Sequence, residues 1–171
     1  SYLSLLLLFA LQCATDQSYL FTTNPVMKNT LIIIISYILA SLSLHAQDPF
    51  ITTWQSDNPG VTANNQIQIP GTGTNYAISW EEVGNPGNNG TANGNNTTTI
   101  TFPSPGTYSV SITPGGGSFT RINFNNGGDK EKIISINQWG DIAWTSMYTA
   151  YRGCVNLTCD ADDLPDLSAV T

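Results

Sequence analysis

The densest group of carboxylates lies near the C-terminal end of the chain, where Asp160, Asp162, Asp163 and Asp166 stand close together. Carboxylate oxygens are the ligands that Ca²⁺ prefers, so these aspartates are candidate calcium ligands. They depart from the EF-hand pattern, because Leu164 stands at the third ligand position and no glycine follows it. The alternative is a solvated turn that holds no metal.

Two tryptophans are candidate ligand-binding groups. Trp139 and Trp144 could stack against a sugar ring if they were exposed, since an indole presents a broad apolar face. The alternative is that they pack the joint between two parts of the chain. Trp80 is expected in the core, because it shares the alternation of Tyr76 and Ile78.

The sequence contains few residues that could carry acid–base or nucleophilic catalysis. His45 is the only histidine and falls in an apolar leader, so a mature protein would lack the imidazole that activates a serine or cysteine nucleophile. Glu81 and Glu82 are adjacent in a strand-like segment, so their carboxylates should point to opposite faces. We therefore predict that the protein is not an enzyme and needs no cofactor, apart from the candidate Ca²⁺.

An apolar segment before residue 47 reads as a secretory signal peptide over residues 27–46. Met27 and Lys28 form a charged start, residues 31–44 form the apolar region, and Ala46 supplies the small residue before the cleavage site. The alternative is a transmembrane helix, but serines interrupt a run that is already shorter than the roughly 20 apolar residues that a span requires. We predict that no membrane span remains after cleavage.

Residues 1–26 precede Met27 and are interpreted as an upstream or non-native leader. A lipoprotein-type anchor at Cys13 is the alternative, but lipoprotein signals resemble one another in carrying a small residue just before the cysteine, and here that position is Gln12. Charge supports export without nucleic-acid partners, because the net charge is −7 and the basic patches that nucleic acids require are missing. A secreted or surface-exposed location follows.

From Asp48 onward, short alternating segments separated by turn residues predict an all-β domain. After Pro105-Gly106, three apolar residues, Tyr108, Val110 and Ile112, alternate with serine and threonine, which places hydroxyls on one face and core residues on the other. Strands are predicted over residues 50–54, 66–69, 75–81, 97–102, 106–113, 119–124 and 130–137. The Asn/Gly tract 85–96 is predicted as an exposed mobile loop, and residues 144–151 as a short helix ended by Gly153.

Residues 47–125 resemble a PKD-type (polycystic-kidney-disease-like) β-sandwich module. The resemblance rests on the segment from Tyr76 to Trp80 and on the segment from Pro105 to Ile112. In that family a Gly-Asp-Gly turn follows the tryptophan, whereas here Trp80 is followed by two glutamates, so the turn is missing. The resemblance implies an immunoglobulin-like sandwich that serves as a spacer or weak binding module.

Residues 126–171 resemble the beginning of a BspA-type leucine-rich-repeat surface protein of Bacteroidetes-like bacteria. The motifs are Ile-Asn-Gln-Trp-Gly at residues 136–140, Ala-Tyr-Arg-Gly-Cys-Val-Asn-Leu at residues 150–157 and Asp-Leu-Pro-Asp-Leu-Ser at residues 163–168. The resemblance implies the N-terminal cap or first unit of a leucine-rich-repeat solenoid, of which this chain is a truncated fragment. It also implies that Cys154 packs as a buried free thiol, whereas export would allow a Cys154–Cys159 disulfide.

Together these observations predict an exported cell-surface binding or adhesion protein with a mainly β fold, a sandwich followed by a solenoid-like segment with one short helix. Its expected partner is an extracellular protein or a glycan. The alternative is a carbohydrate-binding module of a secreted polysaccharide-degrading system, which would use Trp139 and Trp144.

Overall fold

The computed structural model describes residues 47–171. The predicted leader, the signal peptide, His45 and the lipoprotein-type alternative at Cys13 lie outside these residues. Gln47–Thr171 form one compact unit that contains β-strands and no helix, and therefore no helix that could cross a membrane. The prediction of a mainly β fold is confirmed at this level.

Nine strands account for the regular structure of residues 47–171, and they form two sheets. The larger sheet has the order β4-β3-β6-β1-β8-β9, and the smaller has the order β5-β2-β7. The strands are β1 (Phe50–Gln55), β2 (Gln66–Thr74), β3 (Tyr76–Glu82), β4 (Asn85–Gly94), β5 (Thr97–Thr101), β6 (Thr107–Thr113), β7 (Ser118–Ile122), β8 (Ile133–Gln138) and β9 (Thr158–Cys159).

The alternation of apolar and polar residues in the sequence identifies which side chains form the core. In β6, Tyr108, Val110 and Ile112 are buried, and antiparallel pairing sets Ile112 opposite Phe50 of β1. Buried residues of both sheets belong to one apolar cluster. Each fully buried side chain of this size contributes roughly 1.5–3 kcal/mol relative to an exposed one. The largest of them are Trp54, Trp144, Tyr76, Tyr108, Phe50, Phe102 and Phe119.

Strand β2 continues through Pro70 and Gly71, where the sequence predicted its end. The strand changes partner at this point, because Gln66–Pro70 pair with β5 and Gly71–Thr74 pair with β7. A proline lacks the N–H that a ladder needs, so it is tolerated where one ladder stops and another starts. Its carbonyl still accepts a hydrogen bond from the amide of Asn123 at 2.9 Å.

The predicted mobile loop at residues 85–96 is wrong over most of its length, since β4 occupies Asn85–Gly94 at the edge of the larger sheet. Aromatic rings from β3 explain how a glycine-rich tract becomes a strand. Trp80 lies opposite Gly90, and Tyr76 lies opposite Gly94. In each pair the ring occupies the space where a β-carbon of the glycine would stand. The rings supply the apolar contact that the glycines lack.

This arrangement makes Gly94 intolerant of a side chain. We expect Gly94→Ala to lower the free energy of unfolding by about 1–3 kcal/mol, because the methyl group would displace the buried Tyr76 ring. Urea denaturation gives the value. Gly87→Ala in the same strand is the matched control, since its β-carbon would meet only the side chain of Asn85 at 3.8 Å. Equal effects of the two substitutions would contradict the packing of β4.

The helix predicted over residues 144–151 is also wrong, because the structure has a bridge and turns there. The amide of Trp144 donates to the carbonyl of Asp166 at 3.1 Å, and the amide of Thr145 donates to the carbonyl of Thr120 at 3.0 Å. Neither amide bonds the carbonyl four residues earlier, as it would in an α-helix. Thr149 has a φ of 55°, which no α-helix accommodates. The apolar residues of this segment, although spaced three and four apart, pack against the core from turns.

The predicted boundary at residues 125–126 does not separate two compact units. Strand β8 pairs antiparallel with β1 inside the larger sheet, and β9 pairs parallel with β8. Ile133, Ile136 and Trp144 belong to the same core cluster as Phe50. The predicted 47–125 and 126–171 segments consequently share a sheet and a core.

A buried pair of charged residues fixes the turn before β8 to the loop before β2. Asp129 and Lys132 both have 0% of their surface exposed. The Asp129 carboxylate accepts hydrogen bonds from the amides of Val61, Thr62 and Gln68, at 2.8, 3.2 and 2.6 Å. It also accepts one from the Thr62 hydroxyl at 2.6 Å. These contacts satisfy a buried carboxylate that would otherwise be costly.

The Lys132 ammonium completes this connection. Its Nζ lies within hydrogen-bond distance of four oxygens, the carbonyls of Thr62, Ala63 and Gln66 at 3.1, 2.9 and 2.9 Å and the Thr62 hydroxyl at 2.9 Å, and its three N–H groups are shared among them. Burial lowers the pKa of Lys132 below its ordinary value, while the nearby carboxylates of Asp129 and Asp57 act in the opposite direction. The loop at residues 61–66 is thus held by a side chain that stands 66–70 residues further along the chain.

Candidate functional site

The broadest polar surface of the larger sheet is the side that faces away from the core. We call it the outer face. Because successive side chains of a strand point to opposite sides, its members alternate with the buried residues of β1, β3, β4 and β6. They are Ile51, Thr53, Ala77, Ser79, Glu81, Asn89, Thr91, Asn93, Ser109, Ser111 and Thr113.

Short hydroxylated side chains occupy the centre of the outer face. Ser79 of β3 lies opposite Ser111 of β6 on one side and opposite Thr91 of β4 on the other. Ser111 in turn lies opposite Ile51 of β1. The next row places Glu81 beside Ser109. Serine and threonine thus form a continuous row across three strands, β4, β3 and β6, and Ile51 ends the row on β1.

Two shallow depressions of about 380 Å³ each lie on this face. Both are lined by Ser79, Thr91 and Ser111, so they adjoin one another. Asn93 and Thr113 line the first depression, while Glu81, Asn89, Ser109 and Ile51 line the second. The small residues in the shared centre leave the space that longer side chains would fill.

The central hydroxyls are available to a ligand. Among the described residues, none makes a hydrogen bond with the side chains of Ser79, Thr91, Ser109, Ser111 or Thr113. The neighbouring positions differ: the Thr53 hydroxyl donates to Asn137 at 2.7 Å, and the Thr107 hydroxyl bonds Gln55. Neither depression is lined by a lysine or arginine of the described chain.

The structure does not place the two predicted binding tryptophans on a surface together. Trp144 is fully buried, 5.0 Å from Phe50 and 5.9 Å from Trp139 between ring centroids, so the prediction that it could stack on a sugar is wrong. Trp139 is partly buried against the core and packs on Phe50 and Tyr151. Trp80 is only partly buried, on the rings of Phe102 and Tyr108.

The four candidate calcium ligands do not converge on one site, and each carboxylate has different surroundings. Asp160 accepts hydrogen bonds from the Ser135 and Thr158 hydroxyls at 2.7 and 3.1 Å, and it thereby holds β9 against β8. The carboxylate of Asp163 caps the amides of Trp139 and Gly140 at 2.7–3.0 Å.

The other two candidates are exposed. Hydrogen bonds from the side chain of Ser168 and from its amide, the latter at 2.9 Å, lower the pKa of the Asp166 carboxyl group. Asp162 lies on the surface. Within residues 47–171 no three acidic, histidine or cysteine side chains come together as a metal-binding group. The acidic cluster instead forms caps and turns.

Cys154 and Cys159 are free thiols in the structure. Cys154 is half-buried, and burial raises the pKa of its thiol from 9.0 to about 11, whereas Cys159 is exposed. Burial also raises the pKa of the neighbouring Tyr151 well above its ordinary range, with smaller contributions from both thiols. The surroundings of Cys154 therefore suppress its thiolate.

The two thiols should differ in reactivity. We expect iodoacetamide at pH 8 to alkylate Cys159 at least about tenfold faster than Cys154, because the thiolate is the nucleophile and burial disfavours it at Cys154. Peptide mass spectrometry over a time course measures both rates. A Cys159→Ser variant serves as the control for Cys154 alone. Protection of both thiols until a reductant is added would show a disulfide instead.

Sequence reasoning located β1, β3 and β6 of the outer face, but neither β4 nor the site. The serines and threonines that alternate with Tyr108, Val110 and Ile112 were visible, yet only the cross-strand register brings Ser111 beside Ser79 and Thr91. The buried Asp129 and Lys132 were missed altogether, because no local pattern distinguishes them from solvated turn residues. Comparison with known protein families, curated proteins and solved structures found no match to this chain.

Proposed function

We propose that the described residues form a non-enzymatic binding module of an exported cell-surface protein. The observation that carries this proposal is the outer face, a broad sheet surface whose central hydroxyls bond no other described residue and frame two adjoining depressions. A surface of this kind suits contact with a large partner better than enclosure of a small substrate, since small-molecule sites are concave and mostly apolar.

In this proposal the two sheets form an immunoglobulin-like or PKD-like β-sandwich. Support comes from the single apolar cluster that both sheets share, and from Tyr108 at the start of β6. Its hydroxyl donates to the carbonyl of Ser104, four residues upstream, at 2.8 Å. A tyrosine that bonds back to the preceding corner is a feature of immunoglobulin-like sandwiches. The sandwich would act as a spacer or weak binding module.

The remaining part of the proposal concerns residues 126–171 as the first unit of a leucine-rich-repeat-like array. Two parallel pairings within this segment support it, Ser135 with Thr158 and Ala143 with Asp166, because the strands of a repeat solenoid run in the same direction. Apolar side chains near this edge are exposed, with Leu164 at 87% and Leu167 at 49%. Such residues suit burial against a further unit.

A panel of immobilised extracellular ligands tests the proposed function. We expect saturable binding of the full chain to at least one member of a set containing collagen, fibronectin, mucin and neutral polysaccharides. In producing cells the protein should be cleaved by an external protease without lysis, and its N-terminus should be Gln47 by mass spectrometry. A protein that stays protease-protected inside the cells, and binds none of the ligands, would refute the proposal.

A second candidate function is a carbohydrate-binding module of a secreted polysaccharide-degrading system. The burial of Trp144 removes half of the aromatic pair on which that prediction depended. The hydroxyl-lined depressions of the outer face favour it independently. A module of this kind would raise the activity of a polysaccharide hydrolase fused to it on insoluble substrate and leave activity on soluble oligosaccharides unchanged.

A further inference from the structure

We infer that the outer face binds an uncharged polysaccharide chain through the row of hydroxyls formed by Thr91, Ser79 and Ser111. This inference rests on the proposed function and adds to it the class of ligand and the residues that contact it. Three properties of the face carry the argument: its hydrogen-bonding groups, its charge and its shape.

Recognition on this face must come from side chains. Strands β3 and β6 are paired on both sides, so their backbone amides and carbonyls are already used in the two ladders. That arrangement leaves β3 and β6 no free edge at which a peptide strand could be added; the free edge of the sheet on this side is β4, at the end of the hydroxyl row. The serine and threonine hydroxyls each donate one hydrogen bond and accept two, which matches the hydroxyl groups of a sugar in both directions.

The charge of the face selects against ionic ligands. Glu81 is exposed beside the central row, and no described lysine or arginine lines either depression. With a net charge of −7, the chain would repel an anionic polysaccharide or a nucleic acid. Ile51 and Ala77 are the apolar members of the outer face, and Ile78, Ala92 and Trp80 also line the depressions. A purely apolar ligand would still leave the surrounding hydroxyls unpaired.

The shape of the face fits a chain of sugars. Strands lie about 4.8 Å apart, so the four strands from β4 to β1 span roughly 14 Å. The two depressions continue each other across the shared residues Ser79, Thr91 and Ser111. A register shift between Glu81 and Glu82 marks a bulge, which bends the sheet beside the second depression. A short run of linked sugars can therefore lie across both depressions at once.

The test is titration calorimetry of the full chain with mannan, xyloglucan and dextran, and with heparin and alginate as anionic comparisons. We expect at least one uncharged polymer to bind, with an affinity that stays constant between low and high salt. The double variant Ser79→Ala/Ser111→Ala should bind about tenfold more weakly, since each removes one neutral hydrogen bond. Ser111→Tyr should abolish binding by filling the shared centre.

Thr99→Tyr is the matched control. Thr99 is an exposed threonine on β5 of the smaller sheet, and it should keep full affinity when replaced by tyrosine. Unchanged urea midpoints show that every variant is folded. A glycoprotein that carries neutral mannose-rich glycans distinguishes the source of the ligand. Binding to this glycoprotein as well as to mannan identifies a host-type glycan. Binding to mannan alone identifies a free polysaccharide.

Two results would overturn the inference. One is binding to an uncharged polymer that Ser111→Tyr and Thr99→Tyr leave equally intact, which would place the site elsewhere. The other is a full chain that binds none of the uncharged polymers. If it still binds an extracellular protein, the proposed function stands and the ligand class is wrong; if it binds neither class, both fail.

Discussion

We expect the substitution Lys132→Met to lower the free energy of unfolding by about 3–5 kcal/mol, the cost of breaking a buried charge network on one side. Methionine retains much of the apolar stem but removes the ammonium. The Asp129 carboxylate then stays buried without its cationic neighbour, and the carbonyls of Thr62, Ala63 and Gln66 lose their donor. Unpaired buried polar groups are costly because they gave up water on folding.

Urea denaturation at neutral pH, followed by tryptophan fluorescence, measures this loss. Lys130→Met is the matched control, because Lys130 is partly exposed and its ion pair with Glu131 spans 3.9 Å, so its loss should cost less than about 1 kcal/mol. The double variant Asp129→Asn/Lys132→Met should cost less than the sum of the single variants. A Lys132→Met variant as stable as Lys130→Met would show that the ammonium is solvated.

Trp144→Ala should cost about 3–5 kcal/mol, as large-to-small changes of buried aromatic residues do. Its ring is fully buried and meets the edges or faces of Phe50, Phe119 and Trp139, with centroids 5.0–5.9 Å away. The cavity left behind would lie between β1 of the larger sheet and β7 of the smaller. We therefore expect the loss of Trp144 to appear as a lower urea midpoint.

Two further variants separate packing from ligand binding at this position. Trp144→Phe should be milder than Trp144→Ala, because it keeps an aromatic ring and removes an indole N–H that has no partner among the described residues. Trp139→Ala should also be milder, since Trp139 is only partly buried. If Trp144→Ala instead left the urea midpoint unchanged while glycan binding disappeared, the buried position of the ring would be wrong.

The strands could be predicted wherever apolar and polar residues alternate. Tyr108, Val110 and Ile112 predicted a half-buried strand, and β6 spans Thr107–Thr113 with these residues inward. The same alternation located β1 and β3 to within a residue or two. Period-two alternation reports which side of a sheet is buried, and that property depends on little beyond the strand itself.

The failures have a common physical cause, which is that tertiary contacts overrode local preference. The glycines of β4 have no side chains to bury, but Tyr76 and Trp80 cover them from the neighbouring strand. The helical spacing of Trp144 and Tyr151 was satisfied by turns, because the amide of Trp144 bonds the carbonyl of Asp166. These contacts join residues that stand 10 to 22 positions apart, so the pattern within each segment could not reveal them.

For the candidate site, too, the sequence predicted the residue types but not their arrangement. The hydroxylated side of β6 was visible as composition, whereas its alignment with Ser79 and Thr91 depends on the order β4-β3-β6-β1. Trp144 was proposed for a surface role because a tryptophan is large and amphipathic, but its size suited the core. Residue type indicated what chemistry was available, and sheet order decided which groups meet.

The position of β1 has a consequence for the way the protein is made. This strand is the first of the described chain to leave the ribosome, yet it lies between β6 and β8, and Thr53 pairs with both Ser109 and Ser135. Such distant pairing slows folding and leaves early strands exposed until their partners arrive. The larger sheet therefore closes late in synthesis, and a nascent chain that stops before Ile133 leaves β1 with an open edge that invites association with other chains.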